Sequence, residues 1–278
     1  MARPAIAART EGGARQMFDR LTWACFWIPA GLLLTFILLP LLRMTAAQSW
    51  QSLSQVSGMA DVRAAIWLSV GCATLTAVVA ALLGTPLAYL LARKDGWLIR
   101  AIEAVVDLPL AVPHTVAGVA LLFTFGRTGV AGILLSHVGL RFWGTTAGIV
   151  VAMLFVSVPF MVNSARLGFA AVDLHLEEVA RTLGASRMEV FFRIDLPLAW
   201  RGILTGVILT YARSISEIGS VMVLAYYPMT APVKIYDLYL QTGLRESSAA
   251  AVLLLIVTLS TFLVFRAIAG SSRRSDGH

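Results

Sequence analysis

Between Leu21 and Leu42 the chain reads LTWACFWIPAGLLLTFILLPLL, twenty-two consecutive residues without one charge. A run of about 20 apolar residues matches the hydrocarbon thickness of a bilayer, where each backbone polar group must find its partner within the protein. A segment of this kind folds as a helix. Five further runs, Ala64–Ala92, Leu108–Gly126, Thr145–Asn163, Gly202–Tyr226 and Ser247–Ile268, bring the candidate spans to six. Composition agrees: only 13% of the 278 residues are charged, against about 25% in a soluble domain. The sequence therefore predicts an all-α, polytopic membrane protein. The first run exceeds the roughly 7–15 residues of a secretory signal core, and Arg43 precedes any cleavage-like site, so it reads as an uncleaved span.

Lys and Arg set the orientation. With the N-terminus inside, fifteen fall on inner segments and six on outer ones, with Arg213 left within a span. By the positive-inside rule both termini are expected in the cytoplasm of a cell (inner) membrane. The same bias accounts for most of the +7 net charge. The basic residues form no patch or motif, so no nucleic-acid partner is expected. The expected division is a cytoplasmic tail over 1–20, one transmembrane domain over 21–268 with a cytoplasmic loop at about 164–201, and a cytoplasmic tail over 269–278.

That loop carries EEVARTLGASRMEVFFRIDLP, Glu177 to Pro197. Asp173 can cap a helix that places Val172, Leu176, Val179, Ala180 and Leu183 on one face. Gly184 offers the left-handed residue that ends it. Ser186 and Glu189 form a capping box for a second short helix, which Pro197 closes at Leu196. An amphipathic pair outside the bilayer must bury its apolar face on lipid, on its own bundle or on a soluble partner. Its mixed charges, Glu177, Glu178 and Glu189 against Arg181 and Arg187, differ from the basic polar face of an interfacial membrane helix.

The spacing Glu178, Ala180, Gly184, Ile194, Leu196, Pro197 resembles the EAA loop of ABC importer permeases, departing from it at Val179 where that pattern has alanine. The stretches Asp107–Gly129, Phe155–Phe169 and Ala212–Pro232 are similar to the oxyanion branch, and SEIGSVMVLAYYPMTAP is most similar to molybdate/tungstate permeases. The resemblance implies the type I (MetI-like) permease fold and a homodimer with two ABC ATPase subunits, an extracytoplasmic substrate-binding protein and membrane lipid around it. It assigns Glu177, Glu178, Ala180, Arg181, Gly184 and Ala185 to the ATPase contact. The implied cargo is an oxyanion, molybdate or tungstate first and sulfate or thiosulfate next. Importers of iron, phosphate, thiamine or polyamines share such a loop, and an ATP-independent channel or secondary transporter is a further alternative.

The chain has no Gly-x-x-x-x-Gly-Lys-Ser/Thr loop and no zinc, serine-hydrolase or paired-carboxylate constellation. It is therefore expected to be no enzyme and to hold no cofactor, ATP and magnesium belonging to the partner. Within the bilayer, Arg213 and Glu217 stand one helical turn apart, so each can hold the other. They form either a static pair or a weak anion site beside the pathway. Pro109 and Pro113 break helical hydrogen bonding near His114 and Thr115, which can then face a cavity or simply pack. With Ser216 and Ser220 these residues complete the candidate pathway or gate.

Overall fold

The computed structural model describes residues 4–271 and contains thirteen α-helices, with no strand among those residues. Two compact units divide at Gln51 and Ser52. The first holds α1 (Pro4–Ala46), which runs through Pro29 and Pro40. Its Cys25–Ala46 stretch is long and apolar enough to cross a membrane. Residues 4–20, expected as a tail, are helical and continuous with it. The last seven residues of the expected C-terminal tail, 272–278, and the first three of the N-terminal tail lie outside the described residues.

The second unit follows the order α2 (Trp50–Gly58), α3 (Ala60–Arg93), α4 (Trp97–Ala111), α5 (His114–Phe125), α6 (Val130–Ser136) and α7 (Thr146–Ala170). Then come α8 (Leu174–Thr182), α9 (Arg187–Val190), a π turn (Phe191–Asp195) and α10 (Leu196–Ile215). α11 (Gly219–Leu224), α12 (Ala231–Thr242) and α13 (Leu244–Ser271) complete it. At its centre α3, α7 and α10 pack on one another. Without a hydrophobic drive between helices in lipid, such packing depends on small residues that let backbones approach. α3 accordingly buries Ala73, Ala77, Ala80 and Ala88. At the α7–α10 crossing, a Cβ on Gly202 would stand 2.5 Å from the Gly168 Cα. Outside this centre Leu82, Leu83, Phe123 and Leu263 are exposed, as lipid-facing side chains must be.

Three helices of this unit, α3, α7 and α13, are long and apolar enough to span alone, and α4 with α5 passes as a pair bent by 113°. The span expected over Leu108–Gly126, with its helix broken near Pro109 and Pro113, consists of the last turn of α4, a break at Val112–Pro113 and the twelve-residue α5. Pro109 stays inside α4, whereas Pro113 ends it by driving Val112 out of helical geometry, ψ 127°. The span expected over Gly202–Tyr226 is also divided. α10 starts earlier, at Leu196, ends at Ile215, and the chain resumes as α11 after Ser216–Ile218. Pro197 does not close the helix before it, because the π turn carries α9 into α10 and Pro197 falls in the first turn, where its missing N–H costs nothing.

Candidate functional site

Two sites stand at different depths of the second unit. At one end of α7, the Asp173 carboxylate accepts the His175 N–H at 3.0 Å and starts α8. Gly184, at φ +92°, ends it, with the Ala185 N–H donating to the Ala180 carbonyl. Both halves of the capping box form: the Ser186 N–H donates to Glu189 at 2.9 Å, and the Glu189 N–H donates to the Ser186 hydroxyl at 3.3 Å. The Ser186 N–H and then the Ser186 hydroxyl, each donating to it at 2.9 Å, hold the Glu189 carboxyl below the usual carboxylate range. Local hydrogen bonds thus close both caps and the turn of the hairpin.

Its apolar face is uncovered. Leu174, Leu176, Val179, Met188 and Phe192 are exposed, and Leu183 is 83% exposed. Ala180, Gly184 and Ala185 line a cleft of about 380 Å³ between α8 and the helix that follows. Arg181 is exposed, as is Glu178, which among the described residues pairs with His175 on its own helix at 3.2 Å. Glu177 turns the other way, to Arg93 at the end of α3. Arg93 also donates to the Phe169 carbonyl at 2.9 Å and to the wholly buried Asp195 at 3.1 Å. One guanidinium thus ties the ends of α3 and α7, the hairpin and the π turn together. Burial, and then the Asp195 charge, push the Glu177 carboxyl up. The sequence reading overlooked Arg93 and Asp195, counting Arg93 only as a topology signal. The available cue was an aspartate between Ile194 and Leu196 in an apolar stretch.

The second site lies where both broken helices resume. His114 opens α5 and Glu217 stands in the break before α11. The two segments meet closely, since a Cβ on Gly219 would lie 2.8 Å from that of His114. Arg213 Nη2 is 2.7 Å from Glu217 and 2.8 Å from His114 Nε2. Glu217, 1% exposed, also accepts the Ser220 N–H and hydroxyl, each at 2.9 Å. The expected Arg213–Glu217 pair is present, but across a helix break rather than along a helix. The spacing could not show that His114, ninety-nine residues away in sequence, joins it. Ser220 belongs to the cluster. Ser216 does not, its hydroxyl being turned back to the Ala212 and Arg213 carbonyls, and Thr115 is exposed on the first turn of α5 without contacting it.

Chemically the cluster is an ion pair whose guanidinium keeps N–H donors to spare. Arg213 spends one nitrogen on both partners, and His114 is 49% exposed. The first N–H groups of α5 have no carbonyl one turn earlier, so positive partial charge gathers there. Weak, reversible binding of an anion is what such a place can do. Among the described residues no cluster of His, Cys, Asp and Glu could hold a metal ion.

The family model for "Binding-protein-dependent transport system inner membrane component" matches residues 84–275, a stretch that includes both sites. The chain belongs to this family. The molybdate/tungstate transport system permease protein WtpB of Thermococcus kodakarensis is 48% identical over 198 residues, covering 71% of this chain and 75% of that one. Its counterpart in Pyrococcus abyssi is 41% identical over 243 residues, 87% of this chain and 93% of that one. The molybdenum transport system permease protein ModB of Mycobacterium bovis is 34% identical over 242 residues, 86% and 90% respectively. Among solved structures, a bacterial alginate ABC transporter complex superposes with a TM-score of 0.74 at 18% identity, over 91% of this chain and 95% of that one. The MetNI methionine ABC transporter gives 0.60 at 15%, over 78% and 96%. These likenesses establish the importer-permease fold expected from the EAA-like loop, and the chain as a membrane-embedded transport component.

Proposed function

We propose that the chain is the membrane conduit of an ATP-driven importer for a tetrahedral oxyanion, molybdate or tungstate before sulfate. It works as a homodimer, with two separate ATPase subunits on the cytoplasmic hairpins and an extracytoplasmic binding protein delivering the cargo. Both termini face the cytoplasm, and ATP with magnesium is bound by the ATPase, this chain holding no cofactor. The observation that carries the reading is the Arg213–His114–Glu217 cluster at the resumption of two broken helices. The names of the sequence relatives support the cargo, and the uncovered apolar face of the hairpin supports the ATPase contact.

The residues assign the steps. An oxyanion entering beside α5 accepts hydrogen bonds from the Arg213 nitrogens not spent on Glu217 and from the first N–H groups of α5. Glu217 stays held by Ser220, and its negative charge next to the anion keeps binding weak enough for release. When the ATPase pair closes around ATP, the hairpins move with it. The Arg93 junction passes that motion to α3, α7 and α10 as nearly rigid bodies.

Gly184→Trp is expected to insert into the membrane normally yet abolish ATP-driven uptake and ATPase co-purification. Leu183→Ser, which leaves the turn intact, should weaken co-purification as well. Full uptake by both variants would refute the docking assignment.

A further inference from the structure

The opposite end of α7 carries a pocket that the mechanism above leaves unused. It encloses about 510 Å³ and is lined by Arg127, Arg141, Ser136 and Trp143, with the backbones of Gly126 and Gly144. The Arg127 guanidinium lies 4.2 Å from the centre of the Trp143 ring. Neither arginine has a carboxylate partner among the described residues, and from residue 108 to 172 the sequence contains no Asp or Glu at all. On the same side Lys234 is neutralised, pairing with Asp61 at 2.7 Å and Asp237 at 3.4 Å. Arg127 and Arg141, exposed and without such a carboxylate partner among the described residues, line one cavity and can offer an anion charge-assisted hydrogen bonds from two sides.

Their position says which one. α5 begins at His114 and ends at Phe125, so the pocket and the Arg213–His114 cluster stand at the two ends of one helix, about 18 Å apart. We propose that Arg127 and Arg141 form a receiving site on the extracytoplasmic face, where the oxyanion is held after leaving the binding protein and before it passes along α5 to Arg213. The proposal rests on the functional reading above. Two guanidinium forks suit a tetrahedral anion with several acceptor oxygens, and an anion that engages Arg127 draws it from the Trp143 ring.

The test uses the permease–ATPase complex in phosphatidylcholine nanodiscs, without nucleotide, titrated with molybdate and with tungstate while tryptophan emission is followed. A saturable change is expected, absent in Trp143→Phe and retained in Arg213→Gln. Arg127→Gln and Arg141→Gln should each weaken it about tenfold, as the loss of one charge-assisted hydrogen bond does. Arg127→Lys and Arg141→Lys, which keep the charge, should fall between and carry the test if a glutamine variant fails to fold. Unchanged titration in both glutamine variants overturns the proposal. Two other results overturn it also: weaker capture of the binding protein with molybdate titration intact makes the pair a protein contact, and a Trp143 response to added phosphatidylglycerol but not to molybdate makes it a lipid site. If Trp143 titrates with molybdate while the complete wild-type transporter takes up none, the receiving site stands and the functional reading fails.

Discussion

Under the proposed function, Glu217 serves folding and transport together. Its carboxylate is buried, and its hydrogen bonds come from Arg213 and Ser220. Removing one member of a buried ion pair leaves the other uncompensated and costs about 3–5 kcal/mol. Arg213→Gln is therefore expected to lower thermal stability in detergent by about that amount and to abolish uptake. Glu217→Gln keeps an acceptor for Ser220 and leaves behind Arg213, which at 21% exposure still reaches water, so it should cost less than Arg213→Gln, bind molybdate more tightly and release it more slowly. Wild-type uptake and stability in both variants would remove the pair from the pathway and from the stability of the fold. A different residue supplies a pH dependence. Glu177 titrates above its ordinary range because of burial and the nearby Asp195 carboxylate. A carboxyl raised in the folded state contributes stability that is complete below its unfolded value, about 4.3, and is lost as pH rises through the raised one. Unfolding followed across that window should show the stability of wild type relative to Glu177→Gln falling as pH rises, whatever slope the other carboxyls impose on both.

At the scale of elements, the hairpin and the two broken helices bear on different steps. Arg93 fastens the hairpin to three other elements, and Asp195, 0% exposed, depends on it. Arg93→Ala is expected to cost about 3 kcal/mol, raise hydrogen exchange in α8, and let ATP hydrolysis proceed without uptake. Exchange unchanged in α8 would remove the junction from the account. Gly184 sits at φ +92° with open space about it. Gly184→Ala should thus cost about 1–2 kcal/mol, through backbone strain rather than a clash. The hairpin was legible in the sequence because each part of it is local: Asp173, Gly184 and the Ser186–Glu189 box act within a few residues. The breaks were harder. Pro113 announced one, but α4 begins at Trp97, and its Arg100, Glu103 and Asp107 hid a helix that packs on α7 through Glu103–Arg166 at 2.9 Å and Asp107–Asn163 at 2.7 Å. The break after Ile215 has no proline; only the Glu217–Ser220 bonds reveal it.

For the whole molecule, the apolar runs gave the helices and their class, while the arrangement of α3, α7 and α10 depended on contacts far apart in sequence. The Gly168–Gly202 crossing fixes that centre. Gly202→Leu should separate α7 from α10 and destabilise the permease by about 1–3 kcal/mol or more, read as a lower melting temperature in detergent. The central claim is that this chain conducts an oxyanion only when a separate ATPase drives it. The most direct measurement is molybdate uptake into vesicles holding the permease with or without its ATPase, the loaded binding protein outside and ATP within. Uptake that requires both the ATPase and ATP, and that Arg213→Gln abolishes, is the predicted result. Equal uptake by the permease alone, driven by an ion gradient, would contradict it.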